Sequence, residues 1–522
     1  MSSGKPQVFV REATGLVREV GAWPSFLATF GLVTGGVPIF WAASMYTAPG
    51  ANWPLAFFIA FLPTLILAGL FTIVGMSMPR SGGDYVFTSR AVGPVFGFLN
   101  YWGIVMAFML TAGVFMFYAG EYFGYLLAGL GAVYGNASLS SLGTFVTQPL
   151  ASASMGILIL VVSAVLAMMR PRATWGYFVF WGGIATLVAS AIMFVALAGI
   201  NQSVFASAYN SFIGNSTAYQ GVIQTGGVTP PSSSFLATAA ALPLAWFSYT
   251  WYNLPLAWSG EMKNVKKSMP IAVLLAIAFI AAYYILFTVL VTHAFGQPFL
   301  DNWSSLNAAG TAPVSGVGGF VPFFAMLVYH NPTLYLVMFF AMWLPDFYAM
   351  PPTIVAQTRY IFAWAYDRML PDRFASVSDR FHTPILATLI VTACVAIGVL
   401  LASYLPAEYS TAVLAIFTFG FIIPAIAGVI FPYTRKQIYD TAFVKKKVGL
   451  PLITLLGLGS IIYLVYSTYL AYESGSLPID SFSMTVYGVI YGMGAVVLVA
   501  SYLWNRRRGL PLHLVFKEIP PE

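Results

Sequence analysis

Uncharged apolar stretches of about 20 residues recur along the chain, and each is long enough to cross about 30 Å of hydrocarbon as a helix. Clear examples lie at 52–78, 152–169, 268–291 and 386–405. Only 7% of the 522 residues are charged, whereas a soluble domain carries about 25% because water must wet its surface. Most of the outer surface must therefore face lipid, and we predict an all-α integral membrane protein.

Hydropathy predicts about twelve transmembrane helices. Basic residues precede the first span and follow the second, fourth, sixth, eighth and tenth, and a further group closes the chain. All 23 Lys and Arg thus fall on one face, which the positive-inside rule makes cytoplasmic. We expect a multi-pass cell-membrane protein with both termini in the cytoplasm. The spans are predicted at 23–46, 52–78, 95–128, 152–169, 173–199, 236–259, 269–294, 333–366, 384–404, 410–432, 450–471 and 484–505.

The opposite face has no Lys or Arg but carries Asn-x-Ser/Thr sequons, which supports the same topology whether or not any is glycosylated. The net charge of +7 is then an orientation signal and an attraction to anionic lipid headgroups. The lipid bilayer is therefore an expected partner, and nucleic acid is not. The sequons begin at Asn136, Asn201, Asn215 and Asn302.

Two spans contain sequences that should interrupt a helix in mid-membrane. The first span reads GLVTGGVP at 31–38, and the sixth reads SYTWYNLP at 248–255. Backbone groups that Gly and Pro free at that depth are tolerated only where they line a cavity or face other protein. The two spans are five apart, which is the offset expected of an inverted repeat of spans 1–5 and 6–10 with a binding site at the repeat interface.

Three motifs follow the second, sixth and eighth spans and resemble signatures of the amino acid–polyamine–organocation superfamily of permeases. They are PRSGGDYVF at 79–87 with AVGPVFGF at 91–98, GEMKNVKKSMP at 260–270, and RYIFAWAYDRMLP at 359–371. The resemblance implies a leucine-transporter-type fold with a 5+5 inverted repeat, discontinuous helices 1 and 6, and two additional C-terminal helices. It also implies a secondary transporter of amino acids or related amines that carries a small-molecule substrate by alternating access.

This reading divides the chain into cytoplasmic segments, two repeats and a C-terminal pair of spans. Apolar residues before the first span recur at helical spacing with charged residues on the other side, which predicts an amphipathic helix on the inner leaflet. The segments are 1–22 (amphipathic N-terminal segment), 23–199 (repeat one), 200–235 (outer loop), 236–432 (repeat two), 433–449 (cytoplasmic loop), 450–505 (spans 11 and 12) and 506–522 (cytoplasmic tail).

The interrupted spans are predicted to bind a zwitterion without charged side chains. The N–H groups that begin the second half of a broken helix suit a carboxylate, and the carbonyls that end its first half suit an ammonium group. Thr34, Gly35 and Gly36 are assigned to the carboxylate because glycine lets a substrate approach the backbone; alternatively, these glycines only allow close helix packing. The other predicted substrate residues are Phe247, Ser248 and Thr250 through their carbonyls, and Asn253, with Thr111 and Trp251 along the pathway.

Asp346 lies near the centre of the eighth span, on one helical face with Thr353 and Gln357. A charged Asp at that depth costs about 2.5–3.5 kcal/mol on insertion scales, so it is a functional candidate. In folds of the resembled family, spans 1 and 8 form a cation site, and some proton-coupled members place a fifth-span lysine there. Residues 181–183 read Trp-Gly-Gly here, so Asp346, with Thr353, is predicted to couple transport to H⁺ or Na⁺. The alternative is a neutral acid held by carbonyls that nearby prolines free.

Glu261 and Lys263 are predicted to pair in an inner gate. Proton coupling, exchange and sodium symport stay open, and a nutrient sensor on the same fold is an alternative from another class. No cluster of Asp, Glu or His at one membrane face favours an enzyme, so no catalytic residue is assigned. The single cysteine, Cys394, excludes an intramolecular disulfide and a cysteine metal site, and no cofactor or metal is expected. Gly488 and Gly492 fit small-residue helix packing, within a monomer or in a homodimer.

Overall fold

The computed structural model describes residues 16–34, 48–228, 234–405, 407–441, 447–473, 477–509 and 515–518. Helices account for most of its first half. They are α1 (Ala22–Thr34), α2 (Trp53–Ser77), α3 (Gly83–Val92), α4 (Pro94–Val133), α5 (Ala137–Val146), α6 (Pro149–Met168), α7 (Pro171–Ala198), α8 (Gln202–Ile213) and α9 (Ala218–Thr225). Within α7, the turns from Phe178 to Ala185 are π-helical.

The second half is also mainly helical, and a short antiparallel ladder of β1 (Lys447–Val448) and β2 (Leu450–Pro451) precedes its last two helices. The helices are α10 (Ser234–Phe247), α11 (Val265–Phe295), α12 (Gln297–Ala308), α13 (Val321–Tyr329), α14 (Pro332–Tyr366), α15 (Ile385–Tyr404), α16 (Ala407–Gly420), α17 (Ile422–Thr434), α18 (Lys436–Thr441), α19 (Leu452–Glu473) and α20 (Ser481–Arg507).

Ten helices in the described residues are long and apolar enough to cross a membrane, with most of α16 and α17 counted together as one. Two further apolar helices, α1 and α10, are described over 13 and 14 residues, and each borders residues outside the described ranges. Helix α10 ends at the interruption predicted for the sixth span, whereas the one predicted at Gly35 and Gly36 lies outside the described residues. Together these helices confirm an all-α integral membrane protein, with ten candidate membrane spans among the described residues.

The polar connections between predicted spans near 129–151 and 296–332, and the predicted outer loop at 200–235, contain the helices α5, α8, α9, α12 and α13. Asn136 and Asn201 explain two of them, because each side-chain oxygen accepts a hydrogen bond from the N–H three residues on, at 3.1 and 3.0 Å, and so caps α5 and α8. Asn302 is buried in α12 with its amide hydrogen-bonded on both sides. This fourth sequon is therefore inaccessible to glycosylation in the folded chain.

Helix α4 lies at the centre of the bundle and α20 at its edge. In the most apolar window of each helix, 78% of the residues are buried in α4 and 22% in α20. Helix α4 contacts α6, α14, α15, α16 and α20. Large apolar side chains stay exposed along α6, α7, α15, α19 and α20, as expected of helices that face lipid. A side chain added at Gly488 or Gly492 of α20 would meet nothing within 4 Å, so neither glycine serves packing within the described chain.

Candidate functional site

The chain leaves the α-helix after Phe247 and continues through turns and two short 3₁₀ segments, Leu254–Ala257 and Ser259–Glu261. The backbone from 248 to 259 is nevertheless buried. This is the predicted interruption of the sixth span, and Pro255 explains part of it, because proline has no N–H to donate to a helix. Ser248, Thr250 and Asn253, all predicted site residues, lie within this buried irregular segment.

Several polar groups of this segment already have partners. The Phe247 carbonyl accepts hydrogen bonds from the N–H of Thr250 at 2.9 Å and from its hydroxyl at 2.7 Å. Both lone pairs of that carbonyl are therefore in use, and an ammonium group would have to displace one of the two donors. The Ser248 hydroxyl donates to the carbonyl of Leu244 at 2.9 Å, so its side chain is also turned back onto α10.

Tyr284 of α11, which no sequence pattern indicates, joins α1 to the segment that follows α10. Its buried hydroxyl lies 2.5 Å from the Val33 carbonyl oxygen at the end of α1 and 3.0 Å from the Ser248 carbonyl oxygen just after α10. A phenol has one hydrogen to donate, so the two carbonyls share one donor. No local pattern distinguishes Tyr284 from other tyrosines in an apolar span, because its partners are distant in sequence.

Thr34 is fully buried at the end of α1, and its hydroxyl donates to the Phe30 carbonyl one turn earlier, at 2.5 Å. The side chain is thus bonded within its own helix, as is common for threonine in membrane helices. The two glycines predicted to act with it, Gly35 and Gly36, lie outside the described residues. The structure therefore places one of the three residues assigned to the carboxylate.

An aromatic wall lies beside the interruption of the sixth span. The Trp251 ring packs 5.3 Å from Phe108 and 5.1 Å from Phe115 of α4, and Phe417 of α16 packs 4.6 Å from Phe108 and 6.4 Å from Phe247, measured between ring centroids. Trp251 has a φ of 83°, a conformation that a bulky residue adopts only when its surroundings require it. We call these five side chains the aromatic wall.

Thr111 follows Phe108 by three residues and precedes Phe115 by four, so it lies on the same face of α4. Its hydroxyl is fully buried and has no hydrogen-bond partner among the described residues. A buried hydroxyl without a partner costs free energy unless water or a ligand satisfies it. Thr111 therefore lies beside the aromatic wall, and its place along a substrate pathway stays a prediction.

Helix α14 runs unbroken through Asp346, which is 1% exposed. The carboxylate is close enough to Tyr122 and Tyr284 to interact with them electrostatically, which places it near the junction of α1 and α10. Further along the same face, the Thr353 hydroxyl donates to its own helix at 2.8 Å. The Gln357 amide is fully buried without a hydrogen-bond partner in the described part of the chain.

Tyr348, two residues after Asp346, fills the space between α1 and α7. A Cβ atom added at Gly31 or at Gly182 would overlap the Tyr348 ring in either case. Both helices therefore need glycine where they meet this ring, and Gly182 lies in the π-helical part of α7. The π-helical part of α7 thus packs directly against the ring of an α14 tyrosine.

Glu261 does not pair with Lys263, as the sequence analysis predicts, but with Arg359 of α14. The two carboxylate oxygens accept from Nε and Nη2 of Arg359 at 2.7 and 2.9 Å, and both side chains are buried. The Lys263 side chain is exposed, whereas its backbone N–H donates to the Val20 carbonyl at 3.0 Å. The planar arginine guanidinium can donate two parallel hydrogen bonds to one carboxylate, whereas a lysine ammonium group cannot.

A second buried ion pair joins the first motif to the third. Arg90 of α3 donates to the two carboxylate oxygens of Asp367 at 2.5 and 2.6 Å, and the Tyr85 hydroxyl donates to the same carboxylate at 2.7 Å. The Arg90 guanidinium also lies 5.1 Å from the ring centre of Phe516, near the end of the chain. The Arg90 carbonyl accepts from Nε of Arg435 at 2.7 Å.

Asp84 connects α3 to the irregular sixth-span segment and to α14. Its carboxylate accepts hydrogen bonds from the Asn253 amide at 2.9 Å and from the Tyr360 hydroxyl at 2.7 Å. Burial raises the pKa of the Asp84 carboxyl to about 6, although both hydrogen bonds favour its ionised form. Asn253, predicted to line the substrate break, therefore has a structural partner on the side of the basic loops.

Gly82 and Gly83 of the first motif allow this close approach. Gly82 has a φ of 72°, and its N–H donates to the Ala257 carbonyl at 2.8 Å. A Cβ atom on Gly83 would lie 2.5 Å from the Leu256 carbonyl oxygen. The glycine pair thus lets α3 begin directly against the chain that leaves the sixth span, and the three motifs form one buried cluster.

Comparisons with known proteins agree with these motifs. A family profile described as amino acid permease matches residues 20–496. The chain is 23% identical over 381 residues to cationic amino acid transporter 4 of Mus musculus, covering 72% of this chain and 54% of that protein. It is 23% identical over 469 residues to the branched-chain amino acid permease BcaP of Bacillus subtilis (strain 168), covering 86% and 88%. It is 22% identical over 400 residues to the methylthioribose transporter of the same bacterium, covering 74% and 76%.

The chain spans about half the length of the mouse and human cationic amino acid transporters, and most of the length of the two bacterial proteins. All of these relatives are transporters or permeases, a class of membrane protein that is not enzymatic. The chain belongs to the amino acid permease family, within the amino acid–polyamine–organocation superfamily that its three motifs resemble.

Proposed function

We propose that the protein is a secondary active transporter that moves amino acids or related amines across the cell membrane by alternating access. The observation that carries the proposal is the buried, irregular backbone that follows α10, in contact through Tyr284 with the end of α1. Irregular backbone at membrane depth occurs where it lines a cavity or faces protein. Interrupted helices of this kind supply peptide dipoles to a charged solute near the bilayer midplane.

Within that class, the aromatic wall favours a zwitterion with an apolar side chain. Its five rings come from α4, α10, the segment after α10 and α16, and none of its members is charged. An apolar side chain gains free energy by leaving water for such a surface, whereas a lysine or arginine side chain would need an acidic partner. The Bacillus subtilis relative for which 86% of this chain and 88% of that protein are covered is named for branched-chain amino acids, which agrees with this preference.

Asp346 is the residue to which we assign coupling, with H⁺ as the coupling ion or with exchange in place of an ion gradient. It is buried near the junction of α1 and α10. The ring of the neighbouring Tyr348 fills the space between α1 and α7. Hard cations such as sodium need several oxygen ligands around them. This argues for a proton over sodium. No other cofactor enters the proposal.

The buried cluster at the basic end of the bundle would act as the inner gate. We place that end in the cytoplasm, with both termini, because the Lys and Arg residues collect there. The Glu261–Arg359 and Arg90–Asp367 pairs hold α14 against the segments that follow spans two and six. An inward-open state would require these contacts to separate, which assigns the gate to Glu261 and Arg359 rather than to Lys263.

Uptake into proteoliposomes tests the proposal. Purified protein should accumulate labelled leucine or phenylalanine more rapidly than lysine, putrescine or methylthioribose when an inward proton gradient is imposed, or when the vesicles are preloaded with substrate. Asp346→Asn should abolish the response to pH, and Asp480→Asn, an exposed helix cap on α20, is the matched control. Uptake that requires sodium would identify a sodium symporter, and binding without uptake would identify a sensor.

A further inference from the structure

A cavity of about 640 Å³ opens at the basic end of the bundle, between the loop that follows α14 and the last turns of α20. This cavity is separate from the aromatic wall, because it lies on α20, the edge helix that faces lipid. One side is the loop residues 368–373, and the other is a single face of α20. The α20 residues are Val497, Ala500, Ser501, Trp504, Asn505 and Arg508.

The floor of this cavity is apolar and continues onto a lipid-facing surface. Val497, Ala500 and Trp504 follow one another at helical spacing, and Trp504 is 61% exposed. Val496 and Leu503, 69% and 55% exposed, extend the apolar surface along the same helix. Tryptophan is enriched at the membrane–water boundary because its ring is amphipathic. The cavity therefore lies where the headgroup region of a bilayer meets the hydrocarbon.

The rim of the cavity is strongly basic. Arg368, Arg373 and Arg508 line it, and Asp372 is the acidic residue among its lining, so three positive charges face one negative charge. The Arg508 guanidinium lies 5.7 Å from the centre of the Trp504 ring. Neither Arg373 nor Arg508 forms an ion pair within the described residues. This charge pattern is complementary to a phosphate group.

The loop side of the cavity is held in place by α20. The buried Ser501 hydroxyl donates to the Met369 carbonyl at 2.5 Å, and the buried Asn505 amide donates to the Arg368 carbonyl at 2.8 Å. Arg368 adopts a φ of 57°, a left-handed conformation that these two bonds help to fix. The preceding residue, Asp367, is itself fixed by Arg90. These contacts fix the backbone of the loop at Arg368 and Met369, which forms one side of the cavity.

We propose that this cavity binds an anionic phospholipid, with its phosphate at the arginine rim and one acyl chain along the apolar face of α20. Free phosphate would use the arginines but not the apolar floor. A second copy of this chain would bring its own basic α20 against the rim, which like charges oppose. Only an anionic lipid matches both surfaces at once, and basic pockets of this kind recognise lipid headgroups.

Native mass spectrometry and thermal unfolding of the full chain in detergent test the proposal, with phosphatidylglycerol and phosphatidylcholine of equal chain length as probes. Phosphatidylglycerol should remain bound to the wild type and raise its melting temperature, while phosphatidylcholine should not. The double variant R373Q/R508Q should bind phosphatidylglycerol at least about tenfold more weakly, since each surface arginine contributes about 1 kcal/mol to anionic-lipid binding. Arg172→Gln, an exposed arginine on α7 outside this cavity, should bind it as the wild type does.

Ala500→Trp gives an independent test because it fills the cavity without changing its charge. Ala500 is exposed, so the variant should fold and lose lipid binding. Equal binding of the two lipids, or unchanged binding by both variants, would overturn the proposal. So would full competition by inorganic phosphate, which would identify a phosphate site, or a change of oligomeric state in R373Q/R508Q by light scattering, which would identify an interface between two copies. Because these readouts do not involve transport, they stay informative if the proposed transport function is wrong.

Discussion

The hydroxyl of Tyr284 lies 3.0 Å from the carbonyl oxygen of Ser248, and the same hydroxyl lies 2.5 Å from the carbonyl oxygen of Val33. The Tyr284 hydroxyl of α11 therefore links α1 to the segment after α10, and it has a single hydrogen to donate to both. Carbonyls at the ends of interrupted helices are the groups proposed to meet a substrate ammonium. Movement of either helix, or binding of a substrate, would change how the Tyr284 hydrogen is shared between the two carbonyls.

Tyr284→Phe should weaken both stability and transport. Loss of one buried hydrogen bond costs about 1 kcal/mol, and a carbonyl left unsatisfied adds to that. The free energy of unfolding in detergent and the initial rate of leucine uptake measure the two effects. Tyr283→Phe is the control, because among the described residues the Tyr283 hydroxyl bonds only Ser190, at 3.3 Å. If both variants behave alike, Tyr284 does not join the two helices in the working protein.

Arg359→Gln should destabilise the protein by about 3–5 kcal/mol, because it leaves the Glu261 carboxylate buried without its partner. Glu261→Gln with Arg359→Gln should be less harmful than the sum of the single changes, since the double variant leaves no unpaired charge. Lys263→Gln should change the unfolding free energy by less than about 0.5 kcal/mol, as surface substitutions do. A large effect of Lys263→Gln would instead support the Glu261–Lys263 pair predicted from the sequence.

Gly182→Ala should destabilise the protein by about 1–3 kcal/mol, because its methyl group would overlap the Tyr348 ring. Gly176→Ala, on the same helix, meets nothing within 4 Å and should be neutral or stabilising by up to about 1 kcal/mol. Chemical denaturation of the two variants compares them directly. Addition of Tyr348→Leu should recover part of the loss in Gly182→Ala, and failure to do so would place the Tyr348 ring elsewhere.

The stability of the outer helices should depend on pH through Asp301 of α12. Burial raises the pKa of the Asp301 carboxyl to about 7, although the Gly50 N–H donates to it at 2.9 Å and favours the ionised form. A carboxyl with a raised pKa in the folded state stabilises it fully below its ordinary value of about 4. That contribution is lost as the pH rises through about 7.

Melting temperatures between pH 4 and 8 test this sign. The wild type should lose stability relative to Asp301→Asn as the pH rises through this window, because the asparagine does not titrate. Asp480→Asn should run parallel to the wild type over the same range, since the exposed Asp480 has a pKa below its ordinary value. A wild type that gains stability relative to Asp301→Asn at higher pH would show that the Gly50 hydrogen bond outweighs burial.

Local sequence patterns predict the membrane helices and the sixth-span break well. Hydropathy identifies long apolar spans, and the polar run ending in Pro255 marks the interruption, because both signals are contained within one segment. The partners of Glu261 and Tyr284 could not be found in this way, since they join residues distant in sequence. Lys263 is the nearer cation along the chain, but only Arg359 reaches the carboxylate in the fold.

The outer helices were missed for a different reason. Polar composition favours loops, yet Asn136 and Asn201 each precede a short helix that they cap. The capping signal is therefore present in the sequence, at the same two asparagines that begin sequons. The predicted amphipathic segment at 1–22 is described only from residue 16, and residues 16–21 are not helical, because Val20 forms a β-bridge with Met262. The rest of that segment and the glycines at 35 and 36 stay predictions, since they lie outside the described residues.

Arg359 and Asp367 lie near the same end of α14, eight residues and about 12 Å apart. Each is tied to a different part of the chain, Asp367 to the loop after span two and Arg359 to the segment after span six. A tilt of α14 that opens one pair would thus pull on a partner from the other half of the molecule. Both repeats would have to release α14 at the same time. The cytoplasmic end of the bundle should therefore open in a two-state manner, with both ion pairs formed or both broken.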